Sequence, residues 1–181
     1  ASDVYKRQTY IRVNNNPVWW ITGTYTGNAT SLTLENYISG LPVNYMQAGV
    51  FKGNKNLTYI KLPDNGMFST IGSEAFAGCT NLETVVAPAT LGDVGERAFQ
   101  GCTKLKSLAL GSNSAHIYES AFEGCTSLKS IEITGTMVYI DGTAFKGCTN
   151  LTSVKLPKYL EVMGDNVFEG CTSLEEITLP K

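Results

Sequence analysis

An eight-residue block, Ala-Phe-Lys-Gly-Cys-Thr-Asn-Leu at 144–151, recurs in close copies along most of the chain. Its phenylalanines and cysteines recur every 23 residues, at Phe76, Phe99, Phe122, Phe145 and Phe168 and at Cys79, Cys102, Cys125, Cys148 and Cys171. An earlier copy, at Phe51, precedes Phe76 by 25 residues. A fixed period in this range is the signature of a solenoid. The repeat therefore predicts a stack of similar coils, each of which completes the hydrophobic core of its neighbours.

Each repeat also contains a short segment in which hydrophobic residues alternate with polar or small ones. The alternating pairs are Ile60 and Leu62, Val85 and Ala87, Leu108 and Leu110, Ile131 and Ile133, Val154 and Leu156, and Ile177 and Leu179. A period of two is typical of a strand with one buried side. One such strand per repeat, stacked in register at about 4.8 Å per coil, predicts a parallel sheet. The phenylalanines and the cysteines then form buried ladders.

A glycine precedes the cysteine position in all six copies, at Gly53, Gly78, Gly101, Gly124, Gly147 and Gly170. Its recurrence predicts a positive φ, which glycine adopts without steric cost. We expect a short helical turn, beginning near Glu74 or Glu96 in two of the repeats, to carry the phenylalanine inward and to end at this glycine. Such turns would lie on the side of the coil opposite the strand.

The five cysteines are predicted to be buried free thiols that pack as small hydrophobic groups. Their number is odd, and stacked side chains run parallel, which keeps neighbouring Cβ atoms near 5 Å where a disulfide needs roughly 3.5 to 4.5 Å. Metal binding is disfavoured because ligands in a ladder form a row and not a tetrahedron, and the single histidine, His116, is out of phase with them. A redox role stays open as a minor alternative.

The first thirty residues differ from the repeat. Residues 1–8 fit no period and are predicted to be a leader, unstructured or non-native. Residues 9–30 are predicted to form a capping hairpin, with alternation at 10–13, turn residues at 14–17 and a second strand around Trp19 and Trp20. In a regular strand the two tryptophans face opposite sides, so we expect one to pack against the core and the other to face solvent or a loop, where it could stack on a sugar ring.

Composition limits the partners. The chain has 14 Lys and Arg against 16 Asp and Glu, a formal net charge of -2, and no basic cluster, which argues against nucleic acid. The longest apolar run falls well short of the roughly 20 residues that span a bilayer, and no signal-peptide pattern is present. The sequence therefore predicts neither nucleic-acid binding nor membrane insertion in this segment.

The repeat resembles the BspA-like leucine-rich repeats of bacterial surface proteins over about residues 31–181. Residues 71–79, Ile-Gly-Ser-Glu-Ala-Phe-Ala-Gly-Cys, and 94–102, Val-Gly-Glu-Arg-Ala-Phe-Gln-Gly-Cys, carry the likeness. Tyr118 and Asp141 replace the glycine after the isoleucine, and Asn54 replaces the first cysteine; we expect these changes to affect cap and loop positions and not the fold. The resemblance implies a right-handed leucine-rich-repeat solenoid on a secreted or surface-attached protein, with adhesion or binding roles in some members. The array, 31–181, is expected to continue beyond the chain end.

Any ligand should meet the side chains that the predicted strands direct outward. These candidate binding residues are Tyr59, Lys61, Thr84, Val86, Ser107, Ser130, Glu132, Ser153, Lys155, Glu176 and Thr178. They form two columns, mostly small and polar, with few of the aromatic or Arg anchors that dominate tight interfaces. A broad face of this kind suits a host or bacterial surface protein, or a glycan, bound through many weak contacts.

Two functional readings follow from these columns. The first is a non-enzymatic binding or adhesion module, and the alternative is a structural spacer array without a ligand of its own. Catalysis is disfavoured because acidic residues such as Glu83, Glu132 and Glu175 are dispersed among coils and no base is in phase with a nucleophile. The sequence predicts no catalytic residue, no metal site and no cofactor.

Overall fold

The structure, a computed structural model, describes residues 9–12, 17–111, 114–134 and 137–178. This part of the chain winds into a β-solenoid of about seven turns with parallel strands, which confirms the predicted solenoid. The leader predicted at 1–8, Val13 of the predicted first strand, the turn residues at 14–16 and residues 179–181 of the predicted array lie outside the described residues.

Sixteen short strands make up the described coils and the hairpin before them. In chain order they are β1 (Thr9–Arg12), β2 (Trp19–Thr22), β3 (Ser31–Thr33), β4 (Tyr37–Ile38), β5 (Leu41–Met46), β6 (Tyr59–Lys61), β7 (Thr70–Ile71), β8 (Thr84–Val86), β9 (Asp93–Val94), β10 (Ser107–Leu110), β11 (Ser114–Ile117), β12 (Ser130–Ile133), β13 (Met137–Ile140), β14 (Ser153–Lys155), β15 (Leu160–Met163) and β16 (Glu176–Thr178).

Each coil contributes two strands, one to each side of the solenoid. The predicted strand pairs with its equivalents in two front sheets, β3-β6-β8 and β10-β12-β14-β16. The second strand, which the sequence analysis did not predict, joins a nine-stranded back sheet in the order β1-β2-β5-β7-β9-β11-β13-β15, with β4 paired to β5. The inner residues of both sets of strands enclose a single hydrophobic core.

The phenylalanine ladder runs through the middle of this core. Ring centroids from Phe51 to Phe168 are separated by 5.2, 5.0, 5.3, 5.1 and 5.6 Å, and successive planes differ by 3 to 13°. This is the offset-stacked arrangement that aromatic pairs favour. Five of the six rings are buried to 1% exposure or less, as the repeat predicts, whereas Phe168 in the last described coil is half-buried.

The turn that carries each phenylalanine is not helical, and the predicted helical turns are wrong. The N–H group of Phe76 donates to the carbonyl oxygen of Ala98 in the next coil, at 2.8 Å. The N–H group of Glu74 likewise donates to the carbonyl oxygen of Glu96 in the next coil, at 2.8 Å. The intervening residue, Ala75, instead donates its N–H to the carbonyl oxygen of Gly72, three residues earlier. Because alternate N–H groups leave the turn for the next coil, and Glu74 has a φ of +55°, a right-handed helix cannot form.

The glycine before each cysteine has the predicted backbone conformation. The φ angles at Gly53, Gly78, Gly101, Gly124, Gly147 and Gly170 lie between +70° and +73°. Gly78 donates its N–H to the carbonyl oxygen of Gln100 at 2.7 Å, so this residue also links adjacent coils. A left-handed position here lets the chain leave the phenylalanine turn and start the next front strand.

The five cysteines are free, and each thiol has a partner that the sequence does not reveal. Each Sγ donates to the carbonyl oxygen of a phenylalanine in the preceding coil, in the pairs Cys79 to Phe51, Cys102 to Phe76, Cys125 to Phe99, Cys148 to Phe122 and Cys171 to Phe145, at 3.0 to 3.2 Å. Four cysteines are buried, whereas Cys171, in the last described coil, is half-buried. The expectation that all are inaccessible therefore fails at Cys171.

The N-terminal hairpin is confirmed and is built into the back sheet. Strand β1 pairs antiparallel with β2, and β2 pairs parallel with β5 of the next coil. Trp19 packs against the core, while Trp20 lies on the other side of the strand with its ring centroid 4.6 Å from that of Tyr45. Both tryptophans are half-buried. None of the described segments is a helix that is long and apolar enough to cross a membrane.

Candidate ligand-binding faces

The front face consists of the outward side chains of the two front sheets, and it holds all eleven residues that the sequence singles out. They occupy strands β6, β8, β10, β12, β14 and β16, and nine of them are exposed; Tyr59 and Ser153 are half-buried. The register aligns Ser107, Ser130, Ser153 and Glu176 in one column. The structure therefore arranges the candidate residues in columns as the alternation predicts.

The hydrogen-bonded ladder of the front face is interrupted once. The front sheets are separate between β8 and β10, so the candidates on β6 and β8 belong to a different sheet from those that follow. Six candidates meet in a shallow depression of about 310 Å³: Ser130, Glu132, Ser153, Lys155, Glu176 and Thr178. Tyr59, Thr84, Val86 and Ser107 do not line this depression, and Lys61 borders a separate depression of about 260 Å³.

Two of the charged candidates are paired with one another. Lys155 Nζ lies 2.6 Å from Glu132 Oε1 on the neighbouring coil, and both side chains are more than half exposed. A similar exposed pair, Lys106 and Glu83, joins the preceding coils at 2.6 Å. The hydrogen bond from Lys106 lowers the pKa of Glu83. These exposed ion pairs add little stability, but they occupy charges that a ligand would otherwise meet.

The back face consists of the outward side chains of the back sheet and of the residue that follows each of its strands. Its main column, defined by strand register and one cross-strand hydrogen bond, contains Trp20, Tyr45, Thr70, Asp93, His116 and Tyr139. It holds four aromatic rings, in contrast to the small polar residues of the front face. None of these residues was among the eleven predicted binding residues. Trp20 belongs to the tryptophan pair of which the outward member could stack on a sugar ring.

His116 is at the centre of a group of side chains on this face. Its ring stacks on that of Tyr118 with a centroid distance of 3.8 Å and an interplanar angle of 10°, and it lies 5.5 Å from the ring of Tyr139. Its Nε2 atom is 3.0 Å from Asp141 Oδ1, and its backbone N–H donates to Asp93 Oδ1 at 3.2 Å. These contacts hold the rings of His116 and Tyr118 in place.

The sequence did contain a signal for this group. Tyr118 and Asp141 occupy the position that is glycine in three other coils, at Gly72, Gly95 and Gly164. They immediately follow β11 and β13, where their side chains join the back face. The replacement of glycine by tyrosine and by aspartate therefore marks, in the sequence, the coils where a back-face site could have been sought.

The glycines of the same column shape a cleft beside Tyr118. A Cβ atom on Gly72 would lie 2.6 Å from the backbone of the preceding coil, at Met46 O, and one on Gly95 would lie 2.6 Å from Ser73 N. The cleft has a volume of about 510 Å³ and lies between Tyr45 and Tyr118. The backbone of the preceding coil occupies the space that a Cβ atom would need, so the coils can pack this closely only with glycine at these two positions.

On the described parts of the two faces, neither metal-ligand clusters nor the buried thiols point to a reactive group. Within the described ranges no group of three His, Cys, Asp or Glu residues is placed to hold a metal ion. Burial raises the pKa of Cys79 to about 11 and that of Cys125 to about 12, so these thiols stay protonated and unreactive at neutral pH. The groups that reach solvent are hydroxyls, carboxylates, ammonium groups and aromatic rings.

Comparison with known proteins confirms the resemblance found in the sequence. A family model described as the BspA type leucine-rich repeat region matches residues 25–141 and 69–181, in six copies. No curated protein sequence matches the chain. The two matched ranges together cover most of the chain, including every coil that carries the phenylalanine and cysteine ladders.

Solved structures show the same architecture. The crystal structure of a T. pallidum leucine-rich repeat protein is 26% identical, with a TM-score of 0.74, covering 94% of this chain and 89% of that one. A leucine-rich cell surface protein from Faecalibacterium prausnitzii A2-165 is 26% identical, with a TM-score of 0.71, covering 95% of this chain and 52% of that one. The pneumococcal vaccine antigen PcpA, 19% identical with a TM-score of 0.54 over 85% of this chain and 42% of that one, shares the fold alone.

Proposed function

The chain belongs to the BspA-type leucine-rich repeat family, and from that premise we propose that it is a non-enzymatic binding or adhesion module of a secreted or cell-surface bacterial protein. The ligand, a host or bacterial surface protein, binds on the front face. Family membership supports a role in interaction, and the F. prausnitzii relative is described as a cell surface protein. The chain spans about half of that relative's length, so the activity of the whole protein remains part of the proposal.

The observation that carries this proposal is the depression on β12, β14 and β16. It brings six outward side chains together on strands held in strict register by the stacked coils. Strands β12 and β14 are bonded to a neighbour on both sides and β16 to β14, so a ligand that fits this surface orders few groups on the protein. Its hydroxyl and charged groups suit a polar protein surface, and many weak contacts on a cell surface would add to a useful avidity.

A screen against immobilised extracellular-matrix proteins tests this proposal. The test variant is the double change Glu132→Ala with Lys155→Ala, which removes the paired charges together and leaves neither unpaired. The matched control is Lys52→Ala with Glu74→Ala, which removes an equally short exposed pair, 2.6 Å, away from the front face. We expect the first variant to weaken binding about tenfold and the control to leave it unchanged. Equal binding by both variants would place the ligand elsewhere.

The second candidate is a spacer array that holds another domain away from the cell envelope. It is favoured by the Lys155–Glu132 pair, whose charges are satisfied within the chain, and by the small side chains of the columns. A spacer binds nothing in the same screen. A blank result with the folded protein on every matrix protein would therefore support the spacer and reject the front-face module.

A further inference from the structure

We propose that the back-face cleft between Tyr45 and Tyr118 is a binding site for a neutral saccharide, independent of any ligand of the front face. Its volume of about 510 Å³ lies within the range of roughly 300 to 1,000 Å³ typical of small-molecule sites. The cleft lies on the opposite sheet from the eleven front-face residues. Binding in the two places can therefore be abolished separately.

Each of the two tyrosines, Tyr45 and Tyr118, packs against an aromatic ring of its own. Trp20 packs on Tyr45 with ring centroids 4.6 Å apart, and His116 covers one side of Tyr118 at 3.8 Å. Tyr118 is nevertheless 39% exposed, and no second ring packs on it among the described residues. Rings that are fixed before binding lose little freedom when a ligand stacks on them. The apolar C–H side of a pyranose ring suits such a surface.

The floor of the cleft is built from small residues. Thr70 and Asp93 follow Tyr45 on successive strands, and Gly72 and Gly95 lie in the next outward column. Three strand spacings of about 4.8 Å separate the coil of Tyr45 from that of Tyr118, giving a cleft roughly 14 Å long between backbones. At both glycines the preceding coil's backbone takes the place of a side chain, so the backbone itself forms this part of the cleft floor.

Polar groups that suit sugar hydroxyls line the same space. Asp93 and Glu96 offer carboxylate oxygens, and Thr70 and Ser73 offer hydroxyl groups that donate or accept. Hydrogen bonds in which a carboxylate accepts from a hydroxyl are stronger than neutral ones. A few directed polar groups beside aromatic rings is the lining expected of a specific small-molecule site.

The charges favour a neutral ligand over a cationic or an anionic one. Asp93 Oδ1 already accepts the His116 N–H at 3.2 Å, and Glu96 already pairs with Arg97 at 2.9 Å. A basic peptide would have to compete with Arg97 for Glu96. A sialylated or sulfated sugar would bring its negative charge close to Asp93 and Glu96, which repel it.

An array of neutral mono- to tetrasaccharides, with sialylated and sulfated sugars and an oligolysine peptide for comparison, tests the proposal on the whole chain. The strongest hit is then titrated by calorimetry. We expect at least one neutral saccharide to bind and the acidic sugars and the peptide to bind more weakly. Failure of every neutral saccharide to bind, or binding of oligolysine alone, would overturn the proposal.

Three variants test whether the sugar binds in the cleft. Tyr118→Gly installs the residue that other coils carry at this position, and Asp93→Asn removes the charge with little change of shape; each should weaken binding about tenfold or more. Tyr159→Ala, at an exposed tyrosine outside the cleft, is the control and should change affinity less than about twofold. Unchanged affinity in both cleft variants would overturn the proposal. If Tyr118→Gly fails to fold by circular dichroism, Asp93→Asn alone decides.

The front-face double variant separates this proposal from the proposed function. Glu132→Ala with Lys155→Ala should leave saccharide binding unchanged, because neither residue lines the cleft. Loss of saccharide binding in that variant would place the sugar on the front face and overturn the back-face site. If this variant loses matrix-protein binding and keeps saccharide binding, the front-face proposal is supported and the back-face site stands.

Discussion

The Cys125 thiol donates a hydrogen bond to the carbonyl oxygen of Phe99, 3.2 Å away in the preceding coil. The same oxygen also accepts the backbone N–H of Cys102 at 3.0 Å. Each interior rung repeats this pattern, so the cysteine column ties the end of one phenylalanine turn to the next. A residue that looks in the sequence like a small hydrophobic filler thus also satisfies a buried carbonyl group.

Replacing Cys125 with alanine should lower the free energy of unfolding by about 1 to 2 kcal/mol. The change removes the sulfur from the packed core and takes away a weak donor, but the Phe99 carbonyl keeps its backbone partner. Cys171→Ala is the matched control and should cost less, because Cys171 is half-buried. Urea denaturation midpoints measure both. Equal losses at the two positions would contradict the difference in burial on which this prediction rests.

Thiol titration of the native protein should find one accessible cysteine, Cys171. The four other thiols are buried, and burial raises the pKa of Cys79 and Cys125 well above the ordinary value. Both effects slow attack on a disulfide reagent, which requires an exposed thiolate. Unfolding without reductant should release all five thiols. A titre of three or one after unfolding would show cross-linked rungs, and retention of the native signal in Cys171→Ala would assign it to another residue.

Stability should fall as the pH rises above about 9. The ordinary thiol pKa is 9.0, whereas in the folded chain it is about 11 for Cys79 and about 12 for Cys125. Between these pH values the thiols of the unfolded chain have lost protons that the folded chain keeps. The free energy of unfolding therefore falls as the pH rises. Below pH 9 the thiols are protonated in both states and contribute no slope. Urea midpoints between about pH 8 and 10.5 would show the decline.

The variant Cys125→Ala is the control for this pH dependence. It removes the thiol whose pKa is about 12 in the folded chain, so its midpoint should decline less steeply over the same range. Tyrosines and lysines also titrate at high pH, but they are common to both proteins. Parallel declines would mean that the cysteine ladder makes no contribution to alkaline unfolding.

The front strands and the aromatic ladder could be predicted because each produces a pattern within a few residues or at a fixed spacing in the sequence. Alternation at Leu108 and Leu110 marks a strand with one buried side, and the recurrence of Phe122 in phase predicts its burial. The back strands could not be read in the same way. Strands β7 and β9 are only two residues long, so each offers one inward residue, Ile71 or Val94, and no alternation.

The phenylalanine turn escaped prediction for another reason. A left-handed glycine is common just after the end of a helix, and the sequence around Phe76 is compatible with one helical turn that ends at Gly78. The competing arrangement depends on hydrogen bonds to Ala98 and Gln100 in the following coil. Such bonds join residues about one repeat apart and leave no local pattern.

The back-face site was missed although its residues stand out. Tyr118 and Asp141 were visible as departures from a glycine column, but one sequence position cannot show that His116 stacks on one and hydrogen bonds to the other. Tyr45, on the far side of the cleft, lies in an irregular early coil where the 23-residue phase does not hold. Only the stacking of coils brings these groups to one face.

Phe122→Ala should be among the most costly single changes in the chain, lowering the free energy of unfolding by about 3 to 5 kcal/mol. The ring is fully buried and stacks between Phe99 and Phe145, with centroids 5.3 and 5.1 Å away. Its loss leaves a cavity that the coils cannot close, because their backbones are bonded to one another on both sides of the gap.

Two comparisons make the measurement specific. Phe168→Ala should cost less than Phe122→Ala, because Phe168 is half-buried and stacks on Phe145 alone among the described rings. Lys155→Ala, on the front face, should change stability by less than about 0.5 kcal/mol, since it removes one exposed partner of an ion pair. Urea midpoints rank the three variants. If Lys155→Ala proved as costly as Phe122→Ala, the inward and outward sides of the coil would have to be exchanged, because a buried ring and an exposed ammonium group lose very different amounts of contact when truncated.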